Sequence, residues 1–287
     1  MDWDNARVFL AVARHGSLRA AGRALGLSQP TIGRRLATFE AAFGGGPALF
    51  DRLPEGLRLN TAGEALMEAA EQLEDAALAL ERRHAAASPA LSGTVRVSVG
   101  EWAAVFLARN LGRVSASAPG VTVELVETRE TANLARREAD LAVRHHPPQS
   151  GDLYVAKLGV FACAVYRRQD CERDAWVTYT EEQSHYPTAR WVQERLRESG
   201  SGVALRASTM PMQLAAIQAG AGQGLLPCFV GDEQPLLQRL TRPIPEIAAE
   251  YWVIVHRDLR RALCVRAVID WVRTSFDAER AALAGTV

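Results

Sequence analysis

The sequence contains little lysine, little cysteine and no long apolar run. Lys157 is the only lysine among 33 Lys and Arg residues, and 33 acidic residues bring the formal net charge to zero. This balance excludes a strongly basic protein, and the arginine bias alone indicates no partner. No apolar run approaches the ~18 residues of a membrane-spanning helix. Residues 1–4 are acidic and lack the charged-then-apolar order of a signal peptide, so we expect a cytoplasmic protein without a membrane partner.

The cysteines and histidines do not form a metal-binding pattern. No C-x-x-C spacing and no nearby histidine pair accompany the four cysteines, Cys163, Cys171, Cys228 and Cys264. Cys163 and Cys171 are close enough in sequence to suggest a redox switch, but each lies in or beside an apolar run, where buried inert thiols are commoner. His145 and His146 are adjacent, and on a strand they would point to opposite faces. We predict no metal site.

Known catalytic motifs are also missing. The sequence has no G-x-S-x-G elbow and no P-loop. Residues 220–224 are rich in glycine, but Leu225 stands where the last glycine of a G-x-G-x-x-G motif would be. We therefore predict that the protein is not an enzyme and has no cofactor.

Residues 17–61 carry the clearest pattern in the chain. Ser17 is a good N-cap for a helix to about Leu25, and Gly26 ends that helix. Ser28 can cap the next helix, with Pro30 in its first turn, where a missing N–H costs nothing. Two helices joined by a short turn that contains glycine are typical of a helix-turn-helix.

The second helix divides into an apolar and a polar face. Ile32, Leu36, Phe39 and Phe43 recur at helical spacing and should pack on the first helix. The other face offers hydrogen-bonding and cationic groups, which lie on or beside Ser28, Gln29, Pro30, Thr31, Gly33, Arg34 and Arg35. In a major groove, Gln29 and Thr31 would contact base edges and the arginines would contact phosphates.

A predicted hairpin and a local excess of arginine support DNA binding. Residues 48–61 alternate around a turn at 54–56, which predicts a wing that carries Arg52 and Arg58 near the DNA backbone. Residues 1–60 contain eight arginines and five acids, which gives a net charge of +3. Helix-turn-helix geometry also occurs in proteins that do not bind DNA, so packing alone remains the alternative.

A long helix is predicted from Thr61 to about Ala87. Thr61 and Glu64 have the spacing of a capping box. Small and apolar residues then recur at alternating steps of four and three, at Ala62, Leu66, Ala69, Leu73, Ala76 and Leu80. This seam predicts a coiled coil between two subunits, with packing within one chain as the alternative.

From Gly93 onward, strand-like runs alternate with helices, which predicts βαβ units. The run at 158–165 is expected to cross between two lobes. Ligands of such sheets bind at the carboxyl ends of strands. This rule selects the loop residues Gly100, Glu101, Trp102, Thr128, Arg129, Ser208 and Thr209, with Gly222 on the far wall. Solvated loops and helix caps are the alternative for each of them.

Several of these motifs resemble the LysR-type transcriptional regulators. The resemblance rests on residues 9–44, with Ser28-Gln-Pro-Thr31 opening the second helix, on Leu49-Phe-Asp-Arg52, and on residues 59–63. Further matches lie at residues 93–99, 139–143 and 220–227, so the resemblance covers nearly the whole chain. Gly33 stands where a serine is common, Asn60 where a threonine is usual, and Glu101 and Trp102 where Ser or Thr often binds an anion.

The resemblance implies a multidomain α/β protein. Its expected parts are a helix-rich winged helix-turn-helix at 1–60, a dimerisation helix at 61–90 and an effector-binding domain at 91–287. This domain would have two Rossmann-like α/β lobes, lobe I at 91–162 and 265–287 and lobe II at 163–264. The implied partners are promoter DNA, a small-molecule effector, RNA polymerase as a possible partner, and one or three further copies of the chain. Two other hypotheses remain, a small-molecule-binding or catalytic protein, and an architectural or repressor protein without a ligand.

Overall fold

A computed structural model describes residues 2–43, 48–87, 91–128, 139–148 and 151–286, without the side chains of 81–87. The chain forms two compact units, Met1–His84 and Ala85–Val287. A helix-rich first unit and two sheet-containing lobes in the second confirm the predicted fold class. Among the described residues, no helix is long and apolar enough to cross a membrane.

The first unit is a helical domain with one hairpin. Its elements are α1 Trp3–His15, α2 Leu18–Leu25, α3 Gln29–Ala41, β1 Phe50–Leu53, β2 Gly56–Leu59 and the long helix α4 Thr61–Ala87. The Ser17 hydroxyl accepts the Ala20 N–H at 3.2 Å and so caps α2. The Ser28 hydroxyl accepts the Thr31 N–H at 3.4 Å at the start of α3. The predicted caps therefore fix both helix starts, and the hairpin pairs as the wing was predicted to do.

Three phenylalanine rings form the centre of this domain. Phe9 is fully buried and stacks on Phe39 at 5.0 Å, and Phe50 from the hairpin packs at 5.6 Å from Phe9. Ile32 and Leu36 are also buried, as the apolar stripe predicted. Phe43 is an exception and remains 46% exposed, because α3 ends at Ala41 and the residue lies beyond the helix.

The start of α4 differs from the predicted capping box. Asn60, not Thr61, is the capping residue: its Oδ1 accepts the Gly63 N–H at 3.0 Å, and its side-chain amide donates to the Ala48 carbonyl at 2.5 Å. A Cβ on Gly63 would lie 2.3 Å from the Leu49 carbonyl oxygen. Asn60 and Gly63 thus allow the helix to begin directly against the residues that precede the wing.

The predicted seam on α4 is divided between two environments. Ala62, Leu66 and Leu73 are partly buried against the core of their own domain, as is expected for packing within one chain. Ala69, Ala76 and Leu80 are exposed, and Leu80 is 70% exposed. The winged domain therefore covers part of three of the six seam residues, and the contact between subunits stays a prediction.

The second unit alternates strands and helices. Its strands are β3 Gly93–Val99, β4 Val121–Glu127, β5 Leu141–Arg144, β6 Leu153–Phe161, β7 Cys163–Arg168, β8 Ala175–Thr178, β9 Gly202–Arg206, β10 Gln223–Pro227, β11 Leu237–Arg239 and β12 Ala249–His256. Its α-helices are α5 Glu101–Arg109, α6 Leu111–Ser117, α7 Pro187–Ser199, α8 Met210–Gln218, α9 Cys228–Gly231, α10 Leu263–Ala278 and α11 Arg280–Ala284. A helix predicted at 134–138 lies outside the described residues.

The strands form two five-stranded sheets, one in each lobe. Lobe I has the order β4-β3-β5-β12-β6, in which β3, β4 and β5 are parallel and β12 is antiparallel to its neighbours. Lobe II has the order β11-β7-β10-β8-β9, in which β8, β9 and β10 are parallel. The chain leaves lobe I at Ala162, between β6 and β7, within the run predicted to cross.

The return to lobe I comes earlier than the predicted position 265. β12 pairs with β5 and β6 of lobe I, so Ala249–His256 belongs to that lobe and not to lobe II. Val253 and Val255 of this strand are fully buried in the lobe I core. The sequence of an apolar strand does not indicate which sheet the strand joins. For this reason the predicted boundary between lobe II and lobe I at residue 265 was wrong.

Candidate functional sites

The polar face of α3 is exposed at its N-terminal turn. Ser28, Gln29 and Pro30 are exposed, as is Arg34 one turn later. Thr31 is half-buried, and its hydroxyl lies 2.8 Å from that of Ser28 within the cap. These positions leave Gln29 and Arg34 as the side chains most available to a DNA groove.

Arg35 has a different environment from Arg34. Its Nη1 donates to the Asp4 carboxylate at 2.8 Å, which ties α3 to the first turn of α1. Within the described residues, Arg34 forms no ion pair. Arg35 is therefore engaged by its own domain, whereas Arg34 is available to bind a phosphate.

The two arginines of the wing lie on opposite faces of the hairpin. Arg52 pairs with Leu57 across the ladder, and Arg58 pairs with Asp51. Because cross-strand partners share a face and neighbours along a strand alternate, Arg52 and Arg58 point in opposite directions. Arg52 and Arg58 both stay predicted contacts of the DNA backbone, but from opposite faces of the wing.

A concave surface of about 410 Å³ connects α3 with the wing. Gln29 and Gly33 line it from α3, and Arg52 lines it from the hairpin. Arg19 of α2 also lines this surface and was not predicted from the sequence. Its place two residues after the helix cap Ser17 is the signal that could have identified it.

In the second unit, Glu101 joins the two lobes. It begins α5 of lobe I, and its Oε1 accepts the Met210 N–H of lobe II at 2.8 Å. Thr209 stands at the N-cap of α8 with extended backbone, and Ser208 precedes it. The structure thus brings Gly100, Glu101 and Trp102 to the same place as Ser208 and Thr209, where an acceptor meets the positive end of a helix.

Thr128 belongs to a neighbouring group of polar side chains centred on Arg144. Arg144 is 8% exposed, and its Nη2 donates to the Ser98 hydroxyl at 2.5 Å and to the Thr128 hydroxyl. Burial lowers the pKa of Arg144. Arg144 was not predicted as a site residue from the sequence, although it stands at the carboxyl end of β5, where the same strand-end rule applies.

Tyr179 extends this region on the side of lobe II. It follows the carboxyl end of β8, and its hydroxyl contacts the Met210 sulfur. Burial, and then the nearby Glu101 carboxylate, raises the pKa of Tyr179. Its phenol therefore stays protonated at neutral pH and is a hydrogen-bond donor at the cleft.

Gly222 does not belong to this region, and its prediction was wrong. It is buried at the amino end of β10, where a Cβ would lie 2.1 Å from the Ala175 carbonyl oxygen. β10 and β8 are parallel, so Gly222 and Ala175 lie at the end of the sheet opposite to Ser208. The glycine is explained by close packing of two strands. Arg129 lies outside the described residues.

The cysteines and the histidine pair differ in their surroundings. Burial raises the pKa of the Cys163 thiol to about 12, and Cys228 is also buried.

His145 and His146 follow the end of β5 rather than lying on it, and their rings are 4.5 Å apart. The expectation that the two rings point apart was therefore wrong.

Comparisons with known proteins agree with this architecture. Residues 3–64 match the family model of the bacterial regulatory helix-turn-helix proteins of the lysR family. Residues 88–277 match the LysR substrate binding domain. The fold and sites define a DNA-binding transcriptional regulator with a ligand-binding domain. The chain belongs to the LysR family.

Individual relatives extend over most of the chain. The Mau operon transcriptional activator of Paracoccus denitrificans is 25% identical over 96% of this chain and 97% of its own length. The RuBisCO operon transcriptional regulator of Acidithiobacillus ferrooxidans is 30% identical over 70% of this chain and 64% of its own length. Among solved structures, full-length OxyR from Pseudomonas aeruginosa has a TM-score of 0.63 at 15% identity, with 95% of each chain covered.

Full-length CbnR in complex with its target DNA has a TM-score of 0.56 at 20% identity. The match between the two structures covers 96% of this chain and 100% of the CbnR chain. At such identities the two structures establish the shared fold alone.

Proposed function

We propose that the chain binds promoter DNA as a dimer or a larger homo-oligomer and regulates transcription in response to a small effector. The exposed N-terminal turn of α3 beside the wing is the observation that carries this proposal. Gln29 would contact base edges, Arg34 and Arg52 would contact phosphates, and Ser28 and Pro30 would shape the turn that approaches the DNA. Because the target is promoter DNA, we place the protein in the cytoplasm, where it acts by binding rather than catalysis.

Dimerisation through α4 supplies two such helices to a two-fold symmetric operator. The residues available for this contact are the exposed Ala69, Ala76 and Leu80. Leu66 and Leu73 would contribute only their exposed parts, because their domain covers the rest. The solved complex of full-length CbnR with its target DNA supports DNA as the partner.

The effector would bind between the lobes, where Glu101 meets the N-terminus of α8. A ligand that holds the lobes in one arrangement would shift the protein between two DNA-binding states by its differential affinity for them. Glu101 already supplies a carboxylate to the Met210 N–H. An anionic effector would therefore compete with Glu101, and Thr128, Thr209 and Tyr179 offer hydroxyl groups to it.

A binding titration tests the first part of this proposal. Purified protein is titrated against DNA that flanks its own gene, at two salt concentrations and with non-specific competitor DNA. Tight binding that weakens with salt but resists competitor is the expected result. If no binding exceeds competitor here or in a selection from random sequences, the helix-turn-helix serves only packing and the proposal fails.

A further inference from the structure

A strongly basic groove lies along β6 and the exposed face of α10. We call it the β6 groove, a cavity of about 870 Å³ lined by Leu153, Tyr154, Val155, Arg257, Arg260, Arg261, Arg266, Ile269, Asp270 and Arg273. Five arginines and one aspartate give this lining a net charge of +4, in a chain whose formal net charge is zero. Such a local excess of one sign attracts ligands of the opposite sign.

Most of these arginines have no ion-pair partner among the described residues. Arg257 pairs with Asp152 at 3.1 Å, with both side chains more than 60% exposed. The other four arginines form no ion pair within the part of the chain that the structure describes. Arg260 lies 3.8 Å over the ring of Tyr154, a cation–π contact that fixes one guanidinium beside the strand. Four of the five arginines in the groove are therefore left without an ion-pair partner among the described residues, and Arg260 is held beside the strand.

β6 is also an edge strand. It stands last in the sheet order β4-β3-β5-β12-β6, and β12 pairs with it on one side from Leu153 to Phe161. No second strand among the described residues pairs with its other side. An edge of this kind presents unpaired backbone N–H and C=O groups to any extended chain that approaches it.

A second cavity, of about 610 Å³, continues the groove along the same strand. Lys157 and Val160 line it from β6, and Arg273, Asp277 and Arg280 line it from the helical side. Arg273 is common to both cavities. The charged helical side and the strand edge thus run together over most of the nine residues of β6.

These features select among the partners that could cover the groove. A second copy of the chain would bring two arginine-rich faces together, and this repulsion disfavours pairing of β6 with itself. A DNA duplex would supply phosphates but no main-chain groups for the strand edge. An extended acidic peptide supplies both, because its backbone can pair with β6 while its carboxylates bind the arginines.

We propose that the β6 groove binds an extended acidic segment of a partner protein, which adds to lobe I as a further strand next to β6. Backbone hydrogen bonds would supply affinity that does not depend on sequence. Arg266 and Arg273 on α10 would select acidic side chains at alternate positions of the segment. Such binding would require neither the effector nor the operator.

Fluorescence anisotropy of a labelled peptide tests the role of charge. The probe is a capped peptide of alternating Glu and Val, about ten residues long so that it spans a strand, titrated with the full chain. The double variant Arg266→Glu with Arg273→Glu replaces two exposed arginines of the groove by glutamate. It should bind the peptide about tenfold more weakly, or weaker still. The matched control, Arg173→Glu with Arg242→Glu, makes the same change of net charge on lobe II and should leave binding unchanged.

Backbone pairing is tested on the unaltered protein, so the result does not depend on whether a variant folds. Two further peptides have the same sequence but carry backbone N-methyl groups at every second residue. One is methylated at the odd positions and the other at the even positions. At least one of them should lose binding, because its methyl groups replace the hydrogen-bond donors that face β6. Equal binding by all three peptides, or equal loss in both arginine variants, would overturn the proposal. If Arg266→Glu with Arg273→Glu leaves peptide binding intact and weakens duplex DNA binding, the groove is a DNA contact instead.

Discussion

Replacement of Leu80 by aspartate should dissociate the dimer without unfolding the monomer. Leu80 is 70% exposed in the single chain, so its own fold gains little from this side chain. Full burial of a leucine contributes about 1.5–3 kcal/mol, so burying the exposed part contributes about 1–2 kcal/mol per copy. Two copies give about 2–4 kcal/mol, which corresponds to a dimer Kd weakened by about 30-fold to 1,000-fold.

Sedimentation velocity over a range of protein concentrations measures this change. Leu236→Asp is the matched control, because Leu236 is 58% exposed and lies in lobe II. Leu73→Asp should instead lower the melting temperature, because Leu73 packs against the core of the winged domain. A dimer Kd that Leu80→Asp leaves unchanged would refute the assignment of α4 to the subunit contact.

Three further predictions concern single side chains. Arg34→Ala should weaken binding to all DNA and reduce the slope of log affinity against log salt by about one. Arg35→Ala should have a smaller effect on the slope, because Arg35 pairs with Asp4. Equal effects of the two substitutions in a salt titration would contradict this distinction. Glu101→Gln should lower the melting temperature by about 1–4 °C, through loss of a charge at the N-terminus of α8, whereas Glu198→Gln in an exposed pair should change it little. Cys163 should resist alkylation at pH 8 until the protein unfolds, because burial raises its pKa to about 12, and rapid labelling of the folded protein, read by mass spectrometry, would show that this thiol is accessible.

The sequence predicted local structure best where a chemical rule acts over a few residues. Ser17 and Ser28 cap their helices as expected, and the alternating strands and amphipathic helices are present. At Thr61 the same kind of rule failed, because Asn60 caps the helix instead by accepting the Gly63 N–H. The Asn60 side chain is held in place by donating to the Ala48 carbonyl, a contact that depends on where the wing lies.

The candidate sites show the same limit at longer range. The strand-end rule identified Glu101 and Thr209, which the structure brings together from different lobes. It did not identify Arg144, and Gly222 was placed in the cleft because a glycine-rich run says nothing about which end of a sheet it occupies. Ion pairs such as Arg35 with Asp4 cannot be read from either residue alone. Contacts between distant segments therefore account for most of the missed features.

The discontinuity of lobe I has a consequence for how the chain folds during its synthesis. All five strands of lobe II are complete by Arg239, whereas the sheet of lobe I lacks its fourth strand in spatial order until Ala249–His256 has been made. Until then, β5 and β6 have no β12 between them. Non-local pairing of this kind is slow because a long loop must close first. During synthesis lobe II therefore has all its strands before lobe I does, and we expect lobe II to fold first.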